Sequence, residues 1–260
     1  MPRITELPET TPMVAASPYV HLNQKGGNAA LYDGVIYDPL GYDAHIWKLQ
    51  RPVLERLIQR MAIVVPVRAL DFACGTGRIL QVVEAHAAYA CGVDTSRDML
   101  ELAAQKCTRS EFFIGDVLVN IDLFDEPFDL ITAFRFFTNT ERELRLPVMK
   151  ALAGLLRGPE SLLVFNVHGH RPSVLSLTAA YRKLRGWPPV TTMSTWEIRN
   201  LVELSGLEIV DWSGYGLLPQ RLYGSRFGVA AKRLDTMLSP SSTTRWISSD
   251  VVVICRRRGS

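Results

Sequence analysis

Cysteine is scarce in this 260-residue chain, and the four present, Cys74, Cys91, Cys107 and Cys255, form no C-x-x-C pair. That excludes a zinc-ribbon or disulfide-framework protein, so no metal site is expected. Isolated thiols suit a reducing compartment. No segment reaches about 18 uninterrupted apolar residues, so no transmembrane helix is expected. Acids stand in Met1-Pro2-Arg3-Ile4-Thr5-Glu6-Leu7-Pro8-Glu9 where a secretory leader would be apolar. Charge of one sign is also missing. The net charge is only +3, which gives no bulk electrostatic case for nucleic acid. These absences lead to an expectation of a cytoplasmic protein with no nucleic-acid partner and no stable membrane association. Nothing in the pattern speaks to oligomeric state, and no internal repeat or low-complexity segment is evident.

What is present is a hydrophobic fraction of 47%, enough to fill a substantial core. Residues 1 to about 30 are rich in Pro, Thr, Asn and Gly and lack a clear period, which reads as an arm. Tyr32, Tyr37 and Tyr42 follow, with Asp33, Asp38 and Asp43 beside them. Apolar residues at Ile46, Leu49, Leu54, Leu57 and Ile58 predict a helix over 46–61, with Pro52 near its first turn. Strand and helix signals then alternate. Strands are predicted near 67–72, 89–94, 111–115, 128–134, 161–167, 207–213 and 250–256. Helices are predicted at 77–86, 97–106, 143–156, 173–184, 195–205 and 226–237. Thr95-Ser96-Arg97-Asp98 and Ser194-Thr195-Trp196-Glu197 fit capping boxes, and Gly206 sits where a helix would stop. Alternation of this kind predicts an α/β fold with a mostly parallel sheet covered on both faces. The division expected is an N-terminal arm and lid over 1–45, then one domain over 46–260 with a lid-like insertion near 171–193.

The most informative run is Ala69-Leu70-Asp71-Phe72-Ala73-Cys74-Gly75-Thr76-Gly77-Arg78. An apolar strand ends in an acid, a glycine turn follows, and a helical pattern restarts. Two glycines allow φ > 0 and let a ligand approach without a Cβ in the way. A dinucleotide site would want a third glycine where Leu80 stands, so a nucleotide-dependent oxidoreductase loses support. Ligands of open α/β sheets bind beyond the carboxyl ends of the strands. Two further acids fall there: Asp94 in Gly92-Val93-Asp94-Thr95-Ser96-Arg97-Asp98-Met99, and Asp116 in Gly115-Asp116-Val117. A carboxylate 17 residues past Gly77 can accept from both hydroxyls of a ribose.

Together these motifs resemble the class I S-adenosylmethionine-dependent methyltransferase family, over roughly residues 65 to 257 less the stretch near 171–193. The resemblance implies a Rossmann-like sheet of seven strands, the last antiparallel and inserted between the fifth and sixth. It implies S-adenosyl-L-methionine as cofactor, with its methionine end at Asp71, Ala73, Cys74, Gly75, Thr76 and Gly77. It places the ribose on Asp94 with Thr95 beside it, and the adenine on Met99, Asp116 and the Val117 N–H. Phe134 then meets the methionine part. His168, in Asn166-Val167-His168-Gly169-His170-Arg171, is the candidate catalytic base, since histidine is the side-chain type whose charge changes near neutrality. Alignment of donor and acceptor supplies much of the rate for a sulfonium leaving group, so a base is not obligatory.

The chain lacks the Asn/Asp-Pro-Pro-aromatic tetrapeptide of base-modifying amino methyltransferases and any Pro-Cys pair, which argues against DNA base methylation. The expected partner is a small molecule, methylated on oxygen or nitrogen. Residues 171–193 and 213–226, with the tyrosine-bearing N-terminal segment, can cover it. A regulatory module that binds the cofactor without turnover has the same cofactor motifs, and the basic stretch 182–185 leaves a lipid acceptor open.

Overall fold

The computed structural model describes residues 4–6, 34, 38, 41–116, 118, 124–169, 184–186, 192–239 and 246–259. Its centre is one eight-stranded sheet: β1 (Ile4–Glu6), β2 (Arg68–Phe72), β3 (Tyr89–Asp94), β4 (Glu111–Ile114), β5 (Leu130–Ala133), β6 (Leu162–His168), β7 (Leu207–Tyr215) and β8 (Asp250–Arg257). The order across it is β1-β4-β3-β2-β5-β6-β8-β7. All pairings are parallel except those of β8, which runs antiparallel to both β6 and β7. The fold class and the insertion of the last strand agree with expectation. The count differs by one, because Ile4–Glu6, in the stretch read as an arm, pairs in parallel with Phe112–Ile114 at the sheet edge.

The helices are α1 (Tyr42–Val64), α2 (Leu80–His86), α3 (Arg97–Lys106), α4 (Phe136–Asn139), α5 (Arg142–Leu155), α6 (Thr195–Leu204), α7 (Gln220–Tyr223) and α8 (Gly228–Leu238). Side chains alternate across the strands and split the core in two. Leu70, Ile131, Leu163 and Val253 join one cluster with residues of α5 and α6. Ala69, Leu130, Val164 and Val252 join the other with residues of α1, α2 and α3. This is the period of two that a sheet covered on both faces demands.

Helix α1 begins at Tyr42, four residues before its expected start, so Pro52 lies in its interior rather than in its first turn. An interior proline forfeits one helical hydrogen bond at about 3 kcal/mol. Burial of Ile46, Leu54 and Ile58 against the sheet outweighs that. Ser194 and Glu197 make the expected capping box. The other cap moves by one residue: Ser96, not Thr95, accepts from the Met99 N–H. Gly206 ends α6 in the left-handed region. The expected helix over 173–184 and most of the 171–193 insertion lie outside the described residues. No helix among the described residues is long and apolar enough to cross a membrane.

Candidate active site

The carboxyl ends of β2, β3 and β4 bring three of the expected acids to one edge. Asp71, next to last in β2, is 1% exposed. Its Oδ1 accepts from Thr132 Oγ1 at 2.7 Å, from the neighbouring β5. Its Oδ2 makes no hydrogen bond among the described residues. Burial pushes this carboxyl up to about 7; the Thr132 bond opposes that rise and the charge of Asp94 adds to it. Thr132 was not singled out from sequence. It sits in the middle of an apolar strand, and only the β2–β5 register reveals its partner.

The loop after β2 is built from left-handed backbone: Ala73 at φ 52°, Gly75 at φ 54° and Gly77 at φ 80°. Ala73 bears a Cβ in that region, which costs about 1–2 kcal/mol. The loop is pinned from β3. The Cys74 N–H donates to the Val93 carbonyl at 3.1 Å. The Gly75 N–H donates to Asp94 Oδ2 at 2.9 Å, and the Ser96 N–H to Asp94 Oδ1 at 2.9 Å. Asp94 therefore does two jobs, shaping the glycine loop while keeping lone pairs for a ligand, since a carboxylate offers about four acceptor sites. Burial raises its pKa above the usual carboxylate range, against the pull of those N–H groups.

The two glycines are not equivalent. A Cβ on Gly77 would stand 2.9 Å from Cys107 Sγ and 3.2 Å from the Ala103 Cα on α3, so this glycine lets loop and helix close. A Cβ on Gly75 would meet nothing within 4 Å, so this glycine faces open space. Gly77→Ala should therefore destabilise by about 2–4 kcal/mol in urea denaturation, from overpacking and strain together. Gly75→Ala should cost about 1–2 kcal/mol, from backbone strain alone. If the two variants lost equal stability, this division of labour would be wrong.

Thr76 and Cys74 are buried beneath the loop, and burial pushes the Cys74 thiol up. Thr95 follows Asp94 and is partly exposed. Met99 is 4% exposed and joins neither hydrophobic cluster. Asp116 lies past the end of β4 and accepts from the Leu118 N–H at 2.9 Å. Val117 lies outside the described residues. The Phe134 ring turns into the α1 side of the core, 6.4 Å from Trp47. Arg78, next to Gly77, stacks over that same indole at 5.2 Å.

Beyond β6 a second group assembles. His168 ends that strand with Nδ1 3.3 Å from Asp250 Oδ2, out of line for a hydrogen bond. Asp250 opens β8 and is 3% exposed. It accepts from Gln50 Nε2 at 2.6 Å and from Asn166 Nδ2 at 3.2 Å. Asn166 Oδ1 accepts from the Arg135 N–H at 2.6 Å, across a residue held at φ 66°. The Arg135 guanidinium pairs with Asp43 of α1. Sequence reading named His168 here but missed Gln50 and Asp250 as parts of the site. The signal available was a lone acid opening an apolar strand, which spacing alone does not distinguish from a turn residue. His170 lies outside the described residues.

Comparison with known proteins agrees with this geometry. Residues 69–158 match a methyltransferase domain family. The demethylmenaquinone methyltransferase of Thermotoga maritima is 34% identical over 96 residues, 35% of this chain and 42% of that enzyme. The chain thus aligns with well under half the length of the curated relatives it matches. Among solved structures, magnesium protoporphyrin IX methyltransferase from Synechocystis PCC 6803 with bound SAH superposes with a TM-score of 0.63 at 14% identity, covering 92% of this chain and 100% of that one. An S-adenosylmethionine-dependent methyltransferase from Clostridium acetobutylicum gives 0.56 at 16% identity, covering 89% and 98%.

The residues present fit S-adenosylmethionine. The unbonded, buried Asp71 Oδ2 suits a cationic amino group, Gly75 leaves the loop open, and Asp94 keeps acceptor capacity for a ribose. The sheet order and the pinned glycine loop are those of the Rossmann-like fold that these methyltransferase structures share, and residues 69–158 match a methyltransferase domain.

Proposed function

We propose that this protein transfers a methyl group from S-adenosylmethionine to oxygen or nitrogen of a small molecule. The observation that carries the reading is the double role of Asp94, which fixes the Gly75 N–H while facing the edge where a ribose would lie. In this reading Asp71 and the 73–77 loop hold the methionine end, Asp94 and Thr95 the ribose, and Met99, Asp116 and Val117 the adenine. Phe134 backs the methionine part through its backbone, its ring being committed to Trp47. The bound cofactor supplies an electrophilic methyl group on a good leaving group. The chain's own task is then to align the acceptor and exclude water.

A small acceptor is favoured over a macromolecule by what surrounds the second group. Buried aromatic rings, Tyr215 and Tyr223, lie near it, and the net charge of +3 gives no bulk electrostatic case for nucleic acid. The names of the relatives point the same way, toward a quinone in one and a porphyrin in another. His168 is a candidate base because it ends β6 beside Asp250. The proposed setting is the cytoplasm.

Calorimetry with S-adenosylhomocysteine tests the reading directly. Saturable binding is expected, and Asp94→Ala should weaken it by about 10²-fold. Each lost hydrogen bond to a charged group is worth about 1.5–3 kcal/mol. An intact protein that binds none at millimolar ligand would sink the proposal.

A further inference from the structure

Helix α8 is packed the wrong way round for a helix of a soluble domain. Its inward positions are Gly228, Ala231 and Asp235. Asp235 anchors it: the carboxylate lies 3.1 Å from His45 Nε2, in the first turn of α1, and accepts from the Leu217 N–H at 3.1 Å. The larger apolar residues point out. Two rows at i, i+4 spacing, Val229-Arg233-Met237 and Ala230-Leu234-Leu238, are exposed along their whole length. Val229 is 68% and Met237 82% exposed, and Phe227, just before the helix, is 56% exposed. A surface helix ordinarily buries its apolar stripe, so this one keeps it for something outside the chain.

The charge on this face has one sign. Between Asp211 and Asp250 the sequence holds Arg221, Arg226, Lys232, Arg233 and Arg245 against a single acid, Asp235. That acid is turned inward and is 0% exposed. Arg221, Arg226 and Arg233 are exposed, and the Arg226 guanidinium lies 4.7 Å over the Phe227 ring. Arg233 stands between Val229 and Met237 in the outward row, so cations and apolar groups are interleaved. A dry protein interface would strip water from these guanidinium groups, and this face has no carboxylate to offer them. A second copy docked about a two-fold axis would bring the same cations together. The headgroup layer of an anionic bilayer takes both kinds of group, because apolar ends sink below the phosphates while the cations reach them. Trp246 and Ile247 are exposed on the same edge, where the Ser249 N–H donates to the Gly216 carbonyl beside Leu217. Tryptophan is favoured at that depth.

We propose that the outward face of α8, with Phe227 and the arginines beside it, docks the protein reversibly on an anionic lipid surface. The association is peripheral, since no helix among the described residues is long and apolar enough to cross a membrane. It is a property of this surface and does not depend on the donor chemistry. Leu217 follows β7 and Asp250 opens β8, so the docking face borders the carboxyl edge of the sheet. Docking therefore brings against the bilayer the edge at which donor and acceptor meet in the proposed function.

The test is co-sedimentation of the full chain with vesicles of phosphatidylcholine containing about 30% phosphatidylglycerol, set against phosphatidylcholine alone. Binding is expected on the anionic vesicles and should be at least about tenfold weaker on the neutral ones. The double variant Val229→Asp, Met237→Asp should weaken binding at least about tenfold. Arg226→Gln with Arg233→Gln should do the same, since each cation near an anionic leaflet contributes about fivefold. Ile63→Asp with Val64→Asp is the control. Those two side chains are as exposed, at the far end of α1 on the opposite edge, and this variant should bind as the parent does. Melting curves check that each variant folds, and the two face variants are independent, so one that failed to fold would leave the other to decide. Calorimetry with S-adenosylhomocysteine is read separately: no binding there sinks the methyl-transfer reading and leaves the vesicle result standing. No binding to anionic vesicles, equal binding to neutral ones, parent-like binding in a folded face variant, or an equal loss in the control would each overturn the assignment. So would a dimer of the parent that Val229→Asp with Met237→Asp dissociates, if the parent binds no vesicles, because the face would then belong to a second copy.

Discussion

Asp71→Asn should make the ligand-free protein more stable at pH 8 by about 4 kcal/mol, and should weaken S-adenosylhomocysteine binding at least about tenfold. The carboxyl is 1% exposed, and burial lifts it from 3.8 to about 7. An acid with a raised native pKa keeps its proton better folded than unfolded. Its stabilising contribution is therefore complete below about pH 4 and is lost as the pH rises toward 7. Above that, the native state holds a buried anion with one good hydrogen bond, from Thr132. At about 1.36 kcal/mol per pKa unit, this accounts for the gain on replacement by a neutral amide. In a chain of this size the melting temperature at pH 8 should rise by about 10 °C, and the gain should vanish near pH 4. Urea denaturation at both pH values measures this. A gain independent of pH would show that Asp71 titrates normally. The stability given up is what equips the site to take a cation. A bound amino group restores the ionised form, so binding near pH 7 should release a proton, visible as a buffer-dependent binding enthalpy.

Asp250→Ala should cost about 3–5 kcal/mol in urea denaturation, whereas Asp250→Asn should cost about 1–2 kcal/mol. Alanine strands the Gln50 and Asn166 amides in a buried place, each at about 1–3 kcal/mol. Asparagine retains an acceptor oxygen for one of them. The loss should also spread. Asn166 holds the Arg135 N–H, and Arg135 pairs with Asp43 in the same first turn of α1 that carries His45. Amide exchange of Arg135 should therefore accelerate in Asp250→Ala. If both variants cost the same, the hydrogen bonds assigned to Asp250 do not hold the site together.

Most of the sheet was legible because its signals are local. Seven apolar runs lie within a few residues of seven observed strands, and Asp71, Gly75, Gly77 and Asp94 are read from one turn and its neighbour. Ile4–Glu6 was missed because three residues carry no period, and their place at the sheet edge depends on a strand more than 100 residues away. Pro52 misled the start of α1, since local propensity yielded there to burial of one helix face. Thr95 was taken for a cap when its neighbour Ser96 fills that position; both are hydroxyl residues, and only backbone geometry separates them. His45 and Asp235 stand 190 residues apart, and Gln50 and Asp250 stand 200 apart. No spacing rule joins residues at such distances. The motifs proposed for the cofactor sit within single loops, while the residues proposed for the acceptor side come from several elements.

The insertion of β8 between β6 and β7 bears on the order in which the protein can be made. Until residues 250–257 leave the ribosome, β6 and β7 flank an empty slot, and each presents a row of unpaired peptide groups. The glycine loop and its pinning by Asp94 need nothing beyond β4, so a growing chain can shape the cofactor cradle early. The acceptor side has to wait for Asp250. In the proposed reading, translation thus builds the donor side first and completes the acceptor side last, and a nascent chain stalled before β8 should hold S-adenosylhomocysteine without yet having a finished acceptor side.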